Sequence, residues 1–146
     1  MRILILAAAA GVLPLAGWAF AGSGSATFTL TVDAEGVSNS KGVVGVLVFN
    51  SPKGWPEDVP SALKGRAVPA HAGATEIVIP DLPEGDYGVV VLHDLNQNKK
   101  LDRNWLGAPK EQWGMSNNPR YFLSAPSYND ARFDLAKDQT IRVRLN

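Results

Sequence analysis

Apolar and polar residues alternate over several short stretches of the chain. Phe28, Leu30 and Val32 interleave with Thr27, Thr29, Thr31 and Asp33. That is the period-two pattern of a strand with one buried face, written in β-favouring residues. Thr140 to Leu145 (TIRVRL) alternates in the same way, and Glu76 to Pro80 (EIVIP) and Ala131 to Leu135 (ARFDL) read as further short strands. Gly42 to Phe49 (GVVGVLVF) and Tyr87 to His93 (YGVVVLH) are aliphatic runs instead. The first reads as a strand buried on both faces, or nearly so. "DLPEGD", Asp81 to Asp86, lies between two of these strands as a turn. Pro83 presets φ there and Gly85 is free to take φ > 0.

Past the N-terminal segment no stretch sustains a helical period. The one helix candidate, Ser61 to Lys64, makes a single turn at most. Ten prolines and fourteen glycines cut the chain into short pieces. The pattern predicts an all-β fold, an antiparallel β-sandwich of six to seven strands with two long loops. The loops span 50–74 and 94–120. Structureless connections beyond ~15 residues are uncommon and are usually functional or disordered. The second contains Trp105 and Trp113, too aromatic a composition for disorder.

The first residues change the picture of compartment. Arg2 is the only charge before Asp33, Ile3 to Phe20 is apolar or small, and Ala19-Phe20-Ala21 supplies an A-x-A cleavage signature. Residues 1–21 therefore read as a secretory signal peptide, and 22–146 as a single domain. A membrane anchor is the competing reading, because the run approaches the ~18 residues of a spanning helix. Gly11, Pro14, Gly17 and four consecutive alanines interrupt it. The expected location is the bacterial periplasm or the exterior. Without Arg2 the chain has 13 basic and 14 acidic residues, taken from the 14 of each sign in the whole chain. No single-sign field then draws in nucleic acid, and none favours a membrane after cleavage. Cysteine is absent. That excludes a lipoprotein anchor, thiol chemistry and disulfides, so the domain holds itself together by its core, for which ~125 residues suffice.

Candidate chemistry is concentrated in "HDLNQNKKLD", His93 to Asp102. Oxygen-bearing side chains recur there at every second position. Calcium takes about six to eight oxygen ligands, and a loop offering them at alternate residues wraps the chain around the ion. Counted from Asp94, the donors are the side chains of Asp94, Asn96 and Asn98, the Lys100 backbone carbonyl, and Asp102. Leu101 falls at the eighth place, where such loops turn an aliphatic residue inward. Hard oxygens and no cysteine disfavour zinc or copper. Two neutral amides limit carboxylate repulsion in the ion's absence. The sixth place, where the turn calls for Gly, is Lys99, and the twelfth is Trp105 rather than Glu. Glu111 can fold back as a third carboxylate. If that further carboxylate is lacking, the expected Ca²⁺ affinity is modest, on the order of 10⁻⁴–10⁻³ M. The competing reading is a solvated loop of Asx-turns.

Taken together, "VFNSPKGWP", "IPDLPEGDYGVVVLHDLNQNKKLD", "LGAPKEQWGMSNNPR" and "PSYNDARFDL" resemble the bacterial domain-of-unknown-function 2141 family, from about Thr27 to Leu145. The resemblance implies a secreted all-β domain without an established activity. In that family Gly is commoner where Lys99 stands. "DLPEGDYGV" also resembles prealbumin-like repeats of surface adhesins, and so a prealbumin-like or Ig-like sandwich whose oxygen-rich loops hold structural calcium.

Trp55, Trp105, Trp113, Tyr121 and Tyr128 form a second constellation. They either seal the long loops onto the sandwich or, with Trp55, Trp105 and Trp113 at its centre, form a surface for an envelope protein or a glycan. A hydrolase would need His93, Asp94 and Ser116 as a triad. Ser116 stands in Gly-Met-Ser-Asn rather than a Gly-x-Ser-x-Gly elbow, and His71 reads as a loop residue. The expectation is a protein without catalysis.

Overall fold

A computed structural model describes residues 24–120 and 124–146. The signal peptide expected over 1–21, and Tyr121, lie outside the described residues. Eight strands follow one another as β1 (Thr27–Val37), β2 (Val43–Phe49), β3 (Lys64–Pro69), β4 (Gly73–Pro83), β5 (Gly85–Asp94), β6 (Trp113–Met115), β7 (Phe133–Leu135) and β8 (Gln139–Arg144). A four-residue helix, α1 (Tyr128–Ala131), precedes β7. One sheet has the order β4-β1-β8, and the other β3-β2-β5-β6 with β7 also on β5. This is the all-β sandwich that the alternation predicts.

The two sheets close on each other through their inward positions. Leu30 faces Ile79 and Val32 faces Ile77 between β1 and β4, while Val46 faces Val91 between β2 and β5. Leu30, Val32, Ile77, Ile79, Val44, Val46, Val48, Val89, Val91 and Val143 are all buried in one core. Val90 and Leu92 fall on the opposite face of β5, as period two requires. They pack under a second cluster made of Trp113, Met115 and Ala131, with Trp55 and Leu101 partly buried against it. The long loops thus cover the outer face of the five-stranded sheet.

Several local expectations are corrected. In β2, Val44, Val46 and Val48 are buried, but Val43, Gly45 and Leu47 are only half-buried. The strand lies between two antiparallel partners with a partly covered outer face, so it is not buried on both. The pairing of β1 with β8 is parallel, Val32 opposite Ile141 and Ala34 opposite Val143. "DLPEGD" is mostly strand rather than a turn, since β4 runs on to Pro83 and β5 begins at Gly85. The chain changes sheets across Glu84, and the positive φ falls on Asp81 (58°) rather than Gly85. The helical turn expected at Ser61 to Lys64 is a 3-10 turn at Val59–Ser61, ahead of that position, and α1 forms where no helix candidate was expected.

The loop expected over 50–74 contains β3. Its sequence, KGRAVP, shows no apolar alternation because it is an edge strand with mostly exposed side chains. Register with β2 holds it, Val46 opposite Arg66 and Val44 opposite Val68. Lys64 Nζ and Arg66 Nη1 also donate to the carbonyls of Asp81 and Val78, at 3.0 and 2.5 Å. Those bonds tie the edge of one sheet to the other.

An aromatic brace closes the outer face. Trp55 makes edge-on contacts with Phe49 and Tyr128, centroids 5.3 and 5.6 Å apart, and its Nε1 donates to the Pro126 carbonyl at 2.9 Å. Gly88 makes room for it. A Cβ there would meet the Trp55 ring at 2.8 Å and Tyr128 at 3.0 Å. Gly88→Ala is expected to destabilise the fold by about 1–3 kcal/mol, the usual cost of overpacking, read as a lower midpoint in urea. A second outcome concerns pH. Burial holds the phenols of Tyr87 and Tyr128 above the ordinary 10.0, and for Tyr128 the Asp86 carboxylate adds to the rise. A folded-state pKa raised above the unfolded one gives stability that is whole below pH 10.0 and lost as pH rises past it. Thermal melts should therefore fall in alkali, and less so for Tyr128→Phe.

Candidate functional site

Asp94 ends β5, paired with Val43, and its side chain is buried. Its Oδ1 accepts from the Asn98 amide at 3.2 Å, and its Oδ2 from the Lys99 amide at 2.7 Å. The Asn96 side-chain oxygen also accepts from the Asn98 amide, at 3.2 Å. The Asn98 oxygen accepts from the Lys100 amide at 2.9 Å. These are overlapping Asx-turns, each side-chain oxygen holding an amide two or more residues on. The alternation of oxygen donors in the sequence has this local cause.

The same side chains then converge. Nδ2 of Asn96 and Nδ2 of Asn98 each donate to one oxygen of Asp102, at 2.7 and 2.8 Å. Glu111 does fold back and is buried. Its two oxygens accept from the amides of Leu95 (2.9 Å) and Asp102 (3.1 Å), clasping the start and the end of the loop. Five of the six expected metal-site residues, Asp94, Asn96, Asn98, Asp102 and Glu111, thus form one hydrogen-bonded network. Lys100 joins through its backbone N–H. Among the described residues no three His, Asp or Glu side chains come close enough to hold a metal by themselves. A cation here would depend on amide and carbonyl oxygens as well.

Lys99 has φ 61° and Gln97 φ 60°. The position where such loops call for Gly therefore keeps the left-handed backbone although its residue is Lys, which costs roughly 1–2 kcal/mol. The two hydrogen bonds on Asp94 are what hold it there. Leu101 packs against the Trp113–Met115 cluster, the inward role expected of the eighth place. Gly42, at φ 68°, lies beneath the loop, where an added Cβ would fall 2.2 Å from the Asp94 carbonyl oxygen.

The residues that a hydrolase would need as a triad lie in separate networks. His93 is buried, with Nε2 2.8 Å from the Lys41 carbonyl and Nδ1 3.4 Å from Gln112 Oε1. A carbonyl only accepts, so Nε2 bears the proton, and its partner is the backbone. The Ser116 hydroxyl donates to Ala131 O at 2.5 Å and accepts from the Val89 amide at 2.9 Å. It extends the pairing of β6 with β5. Gln112 escaped the sequence reading. Its Oε1 accepts from Ser38 N and its Nε2 donates to Gly36 O, at 2.8 and 2.9 Å. Those contacts are more than 70 residues away in sequence, so no local spacing signals them.

The three tryptophans divide. Trp113 is buried and Trp55 belongs to the aromatic brace, the packing role that was one of the two alternatives for them. Trp105 stands 91% exposed beside Leu106 at 70%. Asn104 builds the turn that carries them. Its Oδ1 accepts from the amides of Leu106 and Ala108, both at 3.0 Å. Its backbone bonds Ala108 O and Gly107 N at 2.8 and 2.9 Å, and Arg103 bridges to Pro109 below.

Two sheets, a second apolar cluster under long loops and an oxygen-rich loop after a core strand define a small β-sandwich domain. The chain belongs to the bacterial family described as "Uncharacterized protein conserved in bacteria (DUF2141)", whose model matches residues 32–142. No curated protein and no solved structure matches the chain.

Two substitutions test the loop's construction. Asp94→Ala removes the acceptor of two amides and should cost about 2–4 kcal/mol, with faster hydrogen exchange at Asn98 and Lys99. Lys99→Gly should instead raise stability by roughly 0.5–1 kcal/mol, the left-handed cost less the extra chain entropy of Gly. A Lys99→Gly variant that melts below the parent would contradict the strain assignment.

Proposed function

We propose that this is a non-catalytic, exported β-sandwich module of the bacterial envelope or its exterior, in which the loop from Asp94 to Asp102 is ordered by one Ca²⁺. The observation that carries the reading is the convergence of Asp94, Asn96, Asn98 and Asp102 within nine residues, clasped by Glu111. The donor set is all oxygen, which suits a hard cation. Each Asp102 oxygen faces an Asn Nδ2. An ion at Asp102 would displace these two N–H groups and take over the job they do, while the Asn oxygens keep their amides and offer it a second lone pair. Glu111 commits both its oxygens to the Leu95 and Asp102 amides. The two remaining carboxylates with neutral partners give the modest affinity of extracellular calcium modules, about 10⁻⁴–10⁻³ M. Export is supported by the apolar, singly charged segment before residue 22. The separate engagement of His93 and Ser116 with backbone groups supports a role without catalysis.

A second reading is favoured by a different observation. Trp105 and Leu106 are displayed on a hydrogen-bonded turn, which suits recognition of something outside the chain, a protein, a glycan or another envelope component.

Calorimetric titration tests the calcium reading. One site per chain is expected, and at a hundredfold excess over Kd the ion should add about 2.7 kcal/mol of stability. Asp94→Asn combined with Asp102→Asn should abolish both signals. Indistinguishable melts in calcium and in chelator for the parent protein would sink the reading.

A further inference from the structure

An indole left almost wholly in water needs a physical account. Single exposed apolar residues are ordinary, but here two large ones are adjacent, Trp105 at 91% and Leu106 at 70%. They do not hang on a slack tether. Asn104 spends its side-chain oxygen on the amides of Leu106 and Ala108. Backbone bonds from Asn104 to Ala108 and from Gly107 to Asn104 close the turn, and the Arg103–Pro109 bridge fixes its root. The turn's own polar groups are therefore satisfied internally, and the side chains project from a preformed wedge.

The charge around the wedge points to its partner. Against three acidic side chains in residues 94–111, Asp102 and the buried Asp94 and Glu111, stand four basic ones, Lys99, Lys100, Arg103 and Lys110, a local net of +1. All four are exposed. Asp102 is occupied by the two Asn amides, and Arg103 shares its charge with Glu57. The three lysines have no ion pair among the described residues. The near-neutral sum over the whole chain conceals these exposed basic side chains.

We infer that the Trp105–Leu106 turn is an interfacial anchor that inserts into the headgroup region of an anionic phospholipid bilayer, with Lys99, Lys100, Arg103 and Lys110 facing the lipid phosphates. The inference rests on the recognition reading of Trp105 and commits it to one partner. Indole prefers the membrane–water interface, where its apolar body and its N–H are both satisfied. Basic residues beside an anionic leaflet strengthen attachment by about fivefold each. A glycan platform would set polar side chains around the ring, whereas here the neighbour is Leu106 and the Asn104 oxygen is already engaged. A protein hot spot would be surrounded by a wider apolar area, and this wedge consists of two side chains.

The test is co-sedimentation with vesicles of phosphatidylcholine alone or mixed with phosphatidylglycerol. It uses the protein as cells expressing the whole sequence yield it, in chelator so that the calcium reading does not enter. The parent should partition more strongly into the mixed vesicles. Trp105→Ala with Leu106→Ala should weaken that by about tenfold or more, with an unchanged melting temperature because neither side chain is buried. Lys99→Gln and Lys110→Gln should each cost about fivefold, and added salt should weaken binding in the same direction. Brominated lipid should quench the parent's fluorescence more than that of Trp105→Phe. Equal sedimentation of the parent and the double alanine variant overturns the membrane anchor. If that variant also loses a glycan-array or purified-protein partner, recognition by Trp105 stands and only the lipid assignment falls. If it loses nothing anywhere, both fall.

Discussion

The Asp94 carboxylate, buried at the end of a core strand and accepting the amides of Asn98 and Lys99, is the constraint on which the long excursion after β5 depends. Hydrogen bonds to an ionised acceptor are roughly twice as strong as neutral ones. These two hold Lys99 in a backbone conformation its side chain disfavours. From that fixed point the rest follows. Asn98 is aimed at Asp102, Leu101 turns down into the Trp113–Met115 cluster, and Glu111 returns to clasp both ends. The span 94–110 gains shape without a helix or a strand of its own, because side-chain oxygens do for its amides what a sheet ladder would do.

That loop is also joined to the sandwich from below. Gly42 lets the chain pass against the Asp94 carbonyl where a Cβ would collide. His93 and Gln112 stitch the same region to Lys41, Ser38 and Gly36. Polar groups at this depth have to be paired, since an unpaired one costs about 1–3 kcal/mol. No buried side-chain nitrogen or oxygen lacks a partner among the described residues. The end of the five-stranded sheet is consequently a firm platform, and the Asn104 turn stands on it.

Much of this was legible in the residues. Alternation and aliphatic runs located β1, β2, β4, β5, β7 and β8, and the oxygen ladder located the loop, including the inward Leu101 and the returning Glu111. What the residues do not signal depends on backbone pairing. KGRAVP has no amphipathic signature, yet it forms β3 because β2 offers an unpaired edge. Three-residue β6 is similarly recruited by β5. GVVGVLVF reads as buried on both sides because composition does not tell a full core from an outer face half-covered by loops. Membership of the bacterial family was readable from the motifs, and the matched model agrees. The sorting of the tryptophans was not readable. Trp113 is buried and Trp55 partly so, the latter in the room that Gly88 leaves, whereas Trp105 stands exposed on the Asn104 turn.

The parallel pairing of β1 with β8 joins residues 30–35 to 139–144, strands separated by more than a hundred residues. The three-stranded sheet therefore cannot be completed during synthesis until the last of the chain has emerged. Before then the hydrogen-bonding edge of β1 is an open template for any extended peptide nearby. A nascent or truncated chain that stops short of Gln139 is accordingly the form most prone to aggregate, and β1 is the segment a holding chaperone would have to shield.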